Sequence, residues 1–172
     1  MGESDKKFNE DRKRGIGGTD IGVIAGFNEF KSEFTVYQEK IGKIEPNKEE
    51  TEKMYWGKKF EPILAEEFAK RFRDEQNISV ELINPDETLV YPQHEFMRGN
   101  LDREIVFPDG TRGVLECSTT GEFFKAEWKE DELPAYILLQ VQWYLMLTGY
   151  DVGYIAVFIG GQRFVYKRIN HI

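Results

Sequence analysis

Apolar residues between about Thr51 and Gln76 recur at helical spacing. Phe60, Leu64, Phe68 and Phe72 stand at every fourth position, and Lys, Arg and Glu occupy the positions between them. This spacing places the apolar side chains on one face of a helix and the charged ones on the others. The segment therefore predicts one long amphipathic helix.

The N-terminal part of the chain predicts two shorter helices. A glycine-rich turn over residues 15–20 ends in residue types that cap helices, and a short apolar run follows it as far as Gly26. Phe34, Tyr37 and Ile41 then lie on one side of a second helix, because they are three and four residues apart. Residues 1–11 alternate charges with few apolar residues and predict a mobile tail.

From residue 79 onward the pattern changes to short β-prone runs bounded by proline and glycine turns. The predicted strands span residues 79–82, 88–91, 100–106 and 113–119 as a meander, and later residues 152–159 and 163–169. An apolar helix over residues 135–147 separates the two groups, with Pro134 at its start and Gly149 after its end. The order predicts a single α/β domain over residues 12–172, with a mixed sheet flanked by helices.

Composition adds limits to this architecture. The chain has 172 residues, 40% of them apolar and 31% charged, which suits one soluble globular domain. No stretch approaches the roughly 20 apolar residues of a membrane helix, and no signal peptide is visible, so we expect a cytoplasmic protein. The single cysteine, Cys117, cannot form an internal disulfide. A net charge of −8 argues against a uniformly basic nucleic-acid coat but allows local contacts with phosphates.

Two acids are separated by a predicted hairpin turn. Asp102 belongs to Gly-Asn-Leu-Asp, and Glu116 belongs to Val-Leu-Glu-Cys-Ser on the next predicted strand. Close carboxylates repel each other unless a proton or a cation lies between them. Mg²⁺, or Mn²⁺, would suit these oxygens together with the carbonyl of Cys117 and a carboxylate from Glu61 on the long helix. The alternative is that both acids are solvated surface groups.

Three further blocks accompany these acids, and together they resemble the YqaJ and lambda-exonuclease family of viral recombination nucleases. The resemblance spans nearly the whole chain and implies the PD-(D/E)XK restriction-endonuclease-like fold. The blocks are Arg12 with Ile16-Gly17-Gly18-Thr19-Asp20-Ile21, Trp56-Gly57 with Phe60-Glu61-Pro62, and Gln140-Val141-Gln142-Trp143-Tyr144-Leu145 with Thr148-Gly149.

The resemblance implies a role for each matched position. Glu61, Asp102, Glu116 and the Cys117 carbonyl would hold divalent metal, and Gln140 would approach the site from its helix. A phosphate would be received by Arg12, whose guanidinium offers two parallel donors, and by Thr19 in the glycine-rich turn. Gly17 and Gly18 serve the turn itself. We expect Trp56 and Trp143 to pack into the core.

The implied activity is metal-dependent hydrolysis of phosphodiester bonds. Members of this family degrade one strand of duplex DNA from its 5′ end, so double-stranded DNA ends are the implied substrate. A single-strand annealing protein is an implied partner, and a trimer is an implied oligomeric state. The resemblance also implies a phage or prophage protein in the cytoplasm of a bacterial host.

One position departs from the family pattern. The second acid of PD-(D/E)XK nucleases is followed one residue later by a catalytic lysine, whereas here Glu116 is followed by Cys117 and Ser118. A hydroxyl cannot supply the lost charge, so we predict metal and DNA-end binding with impaired hydrolysis. Three explanations stay open: a lysine reaching in from elsewhere, with Lys125 and Lys129 nearest downstream; a natural pseudonuclease; or an introduced substitution.

The sequence leaves other functions open as well. A catalytically inactive module could bind DNA ends or a recombination partner, which the missing lysine favours. An endonuclease of the same fold would cut closed circular DNA, whereas an end-dependent exonuclease would leave it intact. An acidic mimic of DNA is disfavoured, because the acids align with family motifs instead of forming long runs.

Overall fold

The computed structural model describes residues 13–28, 30–46, 49–122, 128 and 132–172. The predicted tail over residues 1–11 and Arg12 lie outside the described residues. The helices are α1 (Gly18–Ile24), α2 (Glu33–Lys40), α3 (Glu52–Gln76) and α4 (Ala135–Thr148). The strands are β1 (Glu81–Ile83), β2 (Leu89–Tyr91), β3 (His94–Gly99), β4 (Arg103–Val106), β5 (Arg112–Thr120), β6 (Val152–Ile159) and β7 (Arg163–Asn170).

The central sheet has five strands in the order β1-β4-β5-β6-β7. β5 and β6 run parallel, and every other neighbouring pair is antiparallel. A parallel pair needs a crossover connection, and α4 lies in the chain between β5 and β6. The predicted α/β class with a mixed sheet flanked by helices is therefore confirmed.

The predicted meander is wrong in one respect. β2 does not join the central sheet but pairs with β3 in a separate two-stranded sheet. The sequence pattern missed β3, because residues 94–99 contain only two large apolar side chains and half of the strand is exposed. This hairpin lies against α4, where the indole N–H of Trp143 donates to the carbonyl of Arg98 at 2.8 Å.

The two faces of the sheet each carry one core. Side chains alternate between the faces along a strand, so Val114 packs toward α4 and its neighbour Leu115 packs toward α3. On the α3 side, Phe68 and Phe72 are buried against the sheet, as their spacing predicts, and Phe68 is fully enclosed. Burying one such aromatic side chain contributes roughly 1.5–3 kcal/mol.

The start of α3 extends beyond the sheet. Its buried positions begin at Leu64, and Trp56, two turns earlier, is 50% exposed. The expectation that Trp56 packs into the core is therefore wrong; its indole N–H donates to Glu52 Oε2 at 2.9 Å instead. Trp143 is partly buried against the α4 core, as expected.

Helix α2 is confirmed, but its apolar side faces away from the core. Phe34, Tyr37 and Ile41 are 62%, 58% and 47% exposed, and Val36 is the buried residue of this helix. Among the described helices, none combines the length and the apolar character needed to cross a bilayer.

Candidate active site

A cleft of about 400 Å³ opens where α1, the first half of α3 and the start of β4 meet the middle of β5. It brings together the glycine-rich turn, the carboxylates and the polar residue of α4 that the sequence singled out. Its lining residues include Gly17, Gly18, Thr19, Asp20, Glu61, Asp102, Glu116 and Gln140.

Asp102 lies in the loop just before β4. Its Oδ2 accepts the backbone N–H of Cys117 at 2.7 Å, which ties this loop to β5. Burial raises the pKa of Asp102 to about 7, and repulsion from Glu61 adds to the rise, while the Cys117 N–H and the Arg103 guanidinium act in the opposite direction. Asp102 is therefore a carboxyl that titrates near neutral pH in the metal-free protein, so an approaching cation can displace its proton.

Glu116 lies on β5 with its side chain toward α4 and is 9% exposed. Its Oε1 accepts the amide N–H of Gln140 at 2.6 Å. Its Oε2 is buried and has no hydrogen-bond partner among the described residues. Burial, followed by repulsion from Asp102 and Glu61, holds the pKa of Glu116 well above its usual range. An unsatisfied buried carboxylate oxygen costs free energy, so this atom is suited to an added proton or cation.

Glu61, on α3, is held by an arginine that the sequence analysis missed. Arg103 Nη1 donates to Glu61 Oε1 at 2.6 Å and also to the carbonyl of Asp102. The Arg103 side chain is only 12% exposed, so the ion pair lies largely out of water. Its position directly after Asp102 was the available signal, since it fixes the guanidinium close to the carboxylates.

The glycine-rich turn is held by Asp20, the third residue of α1. Asp20 Oδ2 accepts the backbone N–H of Gly17 at 2.9 Å and lies 2.7 Å from the ammonium of Lys40 on α2. Thr19 is exposed and lines the cleft, and its role in receiving phosphate stays a prediction. A Cβ on Gly18 would lie 2.6 Å from the ring of Tyr144, so the turn approaches α4 too closely for a larger residue. Arg12, its predicted companion, lies outside the described residues.

Three cationic side chains also line the cleft, and sequence reasoning named none of them. They are Lys40, Lys58 and Arg98. Ser118 follows Glu116 by two residues on β5 and so shares its face of the sheet, half-buried. Lys125 and Lys129, the lysines considered from the sequence, lie outside the described residues.

The oxygen atoms in the cleft are potential ligands for a divalent metal ion. Within the part of the chain that the structure describes, no three His, Cys, Asp or Glu side chains form a ready-made metal-binding group. The orphaned Glu116 Oε2 and the mutual repulsion of Asp102, Glu116 and Glu61 nevertheless fit a hard cation with oxygen ligands. Burial raises the pKa of the Cys117 thiol far above its usual value, which leaves the carbonyl as the ligand that residue can offer.

Comparison with known proteins gives a consistent family. Residues 7–151 match the model of the YqaJ-like viral recombinase domain. The YqaJ protein of Bacillus subtilis strain 168, described as uncharacterized, is 36% identical over 166 residues. This alignment covers 93% of the chain and 48% of that protein, so the chain spans about half the length of this curated relative.

Solved structures of exonucleases share the fold. The alkaline exonuclease LHK-Exo of Laribacter hongkongensis superposes with a TM-score of 0.68 at 15% identity, covering 97% of this chain and 82% of LHK-Exo. Its complex with dAMP gives 0.71 at 11% identity, with 97% and 83% covered. A phage-related exonuclease from Haemophilus somnus 129PT gives 0.61 at 16% identity, with 92% and 85% covered. At these identities the likeness concerns the fold, and the predicted PD-(D/E)XK-like fold is confirmed.

Proposed function

The chain belongs to the YqaJ-like viral recombinase domain family, and on this basis we propose that it is a metal-dependent DNA exonuclease of the phage type. The observation that carries the proposal is the buried Glu116 Oε2, which has no hydrogen-bond partner among the described residues and lies in a cleft shared with two further carboxylates. Structural likeness to LHK-Exo, an alkaline exonuclease, supports the same reaction class.

The residues that would hold the metal are Asp102, Glu116 and Glu61, with the carbonyl of Cys117. Mg²⁺ is the proposed ion and Mn²⁺ an alternative, because carboxylate, carbonyl and water oxygens suit both. A divalent ion bound there supplies an acidified water and positive charge for the pentavalent phosphate.

The chain's own residues orient the reactants. Gln140 fixes the Glu116 carboxylate through its amide N–H, and the Cys117 N–H fixes Asp102, so neither carboxylate must reorganise during the reaction. Thr19 lines the cleft, and we propose that it receives a DNA phosphate together with Arg12. A phosphate held there would make cleavage depend on a DNA end.

The finer parts of the proposal follow from family membership. The substrate would be a double-stranded DNA end, digested on one strand from its 5′ phosphate, in the cytoplasm of a bacterial host. A single-strand annealing protein would take up the strand that remains, and a homo-oligomer, a ring of three by family resemblance, would encircle the duplex.

Ser118 would limit the rate of hydrolysis. A serine cannot present the ammonium that an E-x-K nuclease places beside the phosphate. Loss of one positioned donor in other active sites costs roughly 10²–10³ in rate. We therefore propose an exonuclease that binds metal and DNA ends fully but cleaves slowly.

The test compares the chain with its Ser118→Lys variant on linear duplex DNA carrying 5′ phosphates, in Mg²⁺, with closed circular DNA as the control substrate. We expect slow release of nucleotides by the parent, a rate at least about tenfold higher for Ser118→Lys, and intact circles with both proteins. Equally fast digestion by the two proteins would contradict the impairment. Absence of digestion by both, with no heat of Mg²⁺ binding in calorimetry, would contradict the nuclease proposal.

A second candidate function is favoured by the same residue. The chain could be a catalytically inactive protein that holds DNA ends or a recombination partner, because Ser118 removes charge without disturbing the carboxylates. Fluorescence anisotropy in Ca²⁺ with 5′-phosphorylated and 5′-hydroxyl duplexes measures this function directly. End binding by the parent, with hydrolysis only in Ser118→Lys, would identify it.

A further inference from the structure

The cleft has more negative than positive charge in the zone where a phosphate would react. Asp102, Glu116 and Glu61 all face it, and phosphodiester hydrolysis adds negative charge to the phosphate as it becomes pentavalent. A cationic side chain that reaches this zone would lower the barrier, because charge in a partly water-excluded cleft acts strongly. A cationic side chain that lines the cleft is therefore a candidate donor to the reacting phosphate.

The periodicity of α3 puts Lys58 on the face of the helix that lines the cleft. Lys58, Glu61, Ala65, Phe68 and Phe72 follow one another at spacings of three and four residues, so they form a single stripe along the helix. The last three members are buried against the sheet, and Glu61 lies in the cleft with Lys58 one turn before it. Lys58 and Glu61 therefore line the same cleft from one face of α3.

The ion pair between Lys58 and Glu50 is exposed to water. The Lys58 ammonium lies 2.8 Å from Glu50 Oε1, and the two side chains are 65% and 44% exposed. Ion pairs in such exposed settings contribute little to stability, since water screens them and both side chains lose freedom. Lys58 can therefore leave Glu50 for a phosphate at small cost.

Two other cations, Lys40 and Arg98, line the described part of the cleft, Arg103 lies beside it, and each of the three binds another group of the protein. Lys40 is bound to Asp20, whose side chain is 6% exposed, and its departure would leave a buried carboxylate unpaired. Arg103 is bound to Glu61 and to the carbonyl of Asp102. Arg98 donates through Nε to the carbonyl of Glu95, in the two-stranded sheet.

We propose that Lys58 is a catalytic residue, which donates hydrogen bonds to a non-bridging oxygen of the reacting phosphate and so sustains the hydrolysis that remains with Ser118. The proposal rests on the proposed exonuclease function. In the reaction the water oxygen bonds to phosphorus as the bond from phosphorus to the 3′ oxygen breaks. One water proton passes to that oxygen and the other to solvent. Lys58 keeps its proton throughout.

The experiment measures single-turnover release of the terminal nucleotide from a 5′-phosphorylated duplex in Mg²⁺. The variants are Lys58→Gln, Lys58→Arg, Ser118→Lys and the double variant Lys58→Gln/Ser118→Lys. Lys59→Gln is the matched control, because Lys59 is the next residue of the same helix and its ammonium lies over the ring of Tyr55. Duplex affinity is measured in Ca²⁺, and folding is checked by thermal melting.

We expect Lys58→Gln to lower the single-turnover rate by about 100-fold, as for loss of a positioned oxyanion donor, with duplex affinity changed less than threefold. Lys58→Arg should keep a measurable part of the rate, and Lys59→Gln should match the parent. The double variant should recover the rate, because a lysine at position 118 supplies the ammonium from β5. This recovery is a result that a purely structural role of Lys58 does not give.

Three results would overturn the proposal. A Lys58→Gln rate within twofold of the parent would show that the ammonium is not used. Equal losses in Lys58→Gln and Lys59→Gln would show a general effect on α3. A parent that does not cleave while Ser118→Lys does would show that Lys58 does not compensate, although the exonuclease proposal would survive. Only inactivity of both parent and Ser118→Lys, without metal binding, would remove the exonuclease proposal too.

Discussion

Substituting Asp102 by asparagine should make the metal-free protein more stable while removing metal binding. The change is nearly isosteric, and an amide oxygen can accept the Cys117 N–H that now binds Asp102 Oδ2 at 2.7 Å. The amide nitrogen can donate toward Glu61 or Glu116, which share the cleft. The substitution thus removes a buried negative charge and keeps the local contacts.

The magnitude follows from the pKa of Asp102, which burial raises from 3.8 to about 7. A folded-state pKa above the unfolded one means that the folded protein binds the proton more tightly. Ionisation therefore costs stability as the pH rises from about 4 to about 7, and the full cost persists above that range. The cost is about 2 kcal/mol at pH 5 and about 4 kcal/mol at pH 8, at about 1.4 kcal/mol per pH unit.

The assay is urea unfolding in EDTA at pH 5, 6, 7 and 8. We expect the stability gain of Asp102→Asn over the parent to grow from about 2 to about 4 kcal/mol across this series. At pH 8 this gain corresponds to a melting temperature about 8–16 °C higher. Asp86→Asn is the control, because it removes one formal charge from an exposed loop residue outside the cleft lining. Added Mg²⁺ should stabilise the parent and leave Asp102→Asn unchanged.

Two results would refute this reasoning. A gain that is the same at pH 5 and pH 8 would show that Asp102 does not titrate in the folded protein over this range. A variant less stable than the parent at pH 8 would show that the carboxylate contributes contacts worth more than its burial costs. Asp86→Asn should lack the stability gain that Asp102→Asn shows at pH 8, because residue 86 is exposed and lies outside the cleft lining.

Other predictions concern the close approach of α1 to α4 and the support of the buried acid. Gly18→Ala should lower stability by about 1–3 kcal/mol in urea unfolding, since its Cβ would lie 2.6 Å from the Tyr144 ring. Gly57→Ala, whose Cβ would meet no atom within 4 Å, should raise stability by about 0.5–1 kcal/mol by the same measurement, because it lies inside α3. Gln140→Met should cost about 1–3 kcal/mol at pH 8 in EDTA, because it removes the N–H that binds Glu116 Oε1 and leaves that carboxylate without a donor from α4.

Local periodicity predicted most of the secondary structure. In helices and strands that pack against a core, apolar residues recur with the period of the element along its buried face. α3 was predicted over residues 51–76 and spans Glu52–Gln76, and β6 was predicted with the bounds it has. β3 was missed, since its hairpin packs beside α4 instead of inside the sheet and its residues carry no clear alternation. The exposure of the apolar face of α2 was also unpredictable. Periodicity shows that the apolar residues share one face, but it does not show whether another element packs against that face.

The site was predicted as a set of acids and a glycine-rich turn, and the structure places Glu61, Asp102, Glu116 and Thr19 in one cleft. The cations were not predicted. Arg103 reaches Glu61 because α3 passes the start of β4, and that approach depends on tertiary packing between residues 42 positions apart. Apart from the place of Arg103 directly after Asp102, sequence spacing within either segment gives no sign of this contact.

The proposed separation of binding from cleavage has a physical basis in where each charge lies. The carboxyl groups are held by contacts that do not involve Ser118, Asp102 by the Cys117 N–H and Glu116 by Gln140, so we expect a change at Ser118 to leave their geometry intact. A cation delivered from a strand is held rigidly, whereas Lys58 would reach in on a long side chain from an exposed helix turn. Ordering such a side chain at the phosphate costs about 1.5–2 kcal/mol, or roughly ten- to thirtyfold in rate. The metal affinity of such a protein would depend on its carboxylates, and its rate of cleavage would be lowered because the cationic donor is a flexible side chain.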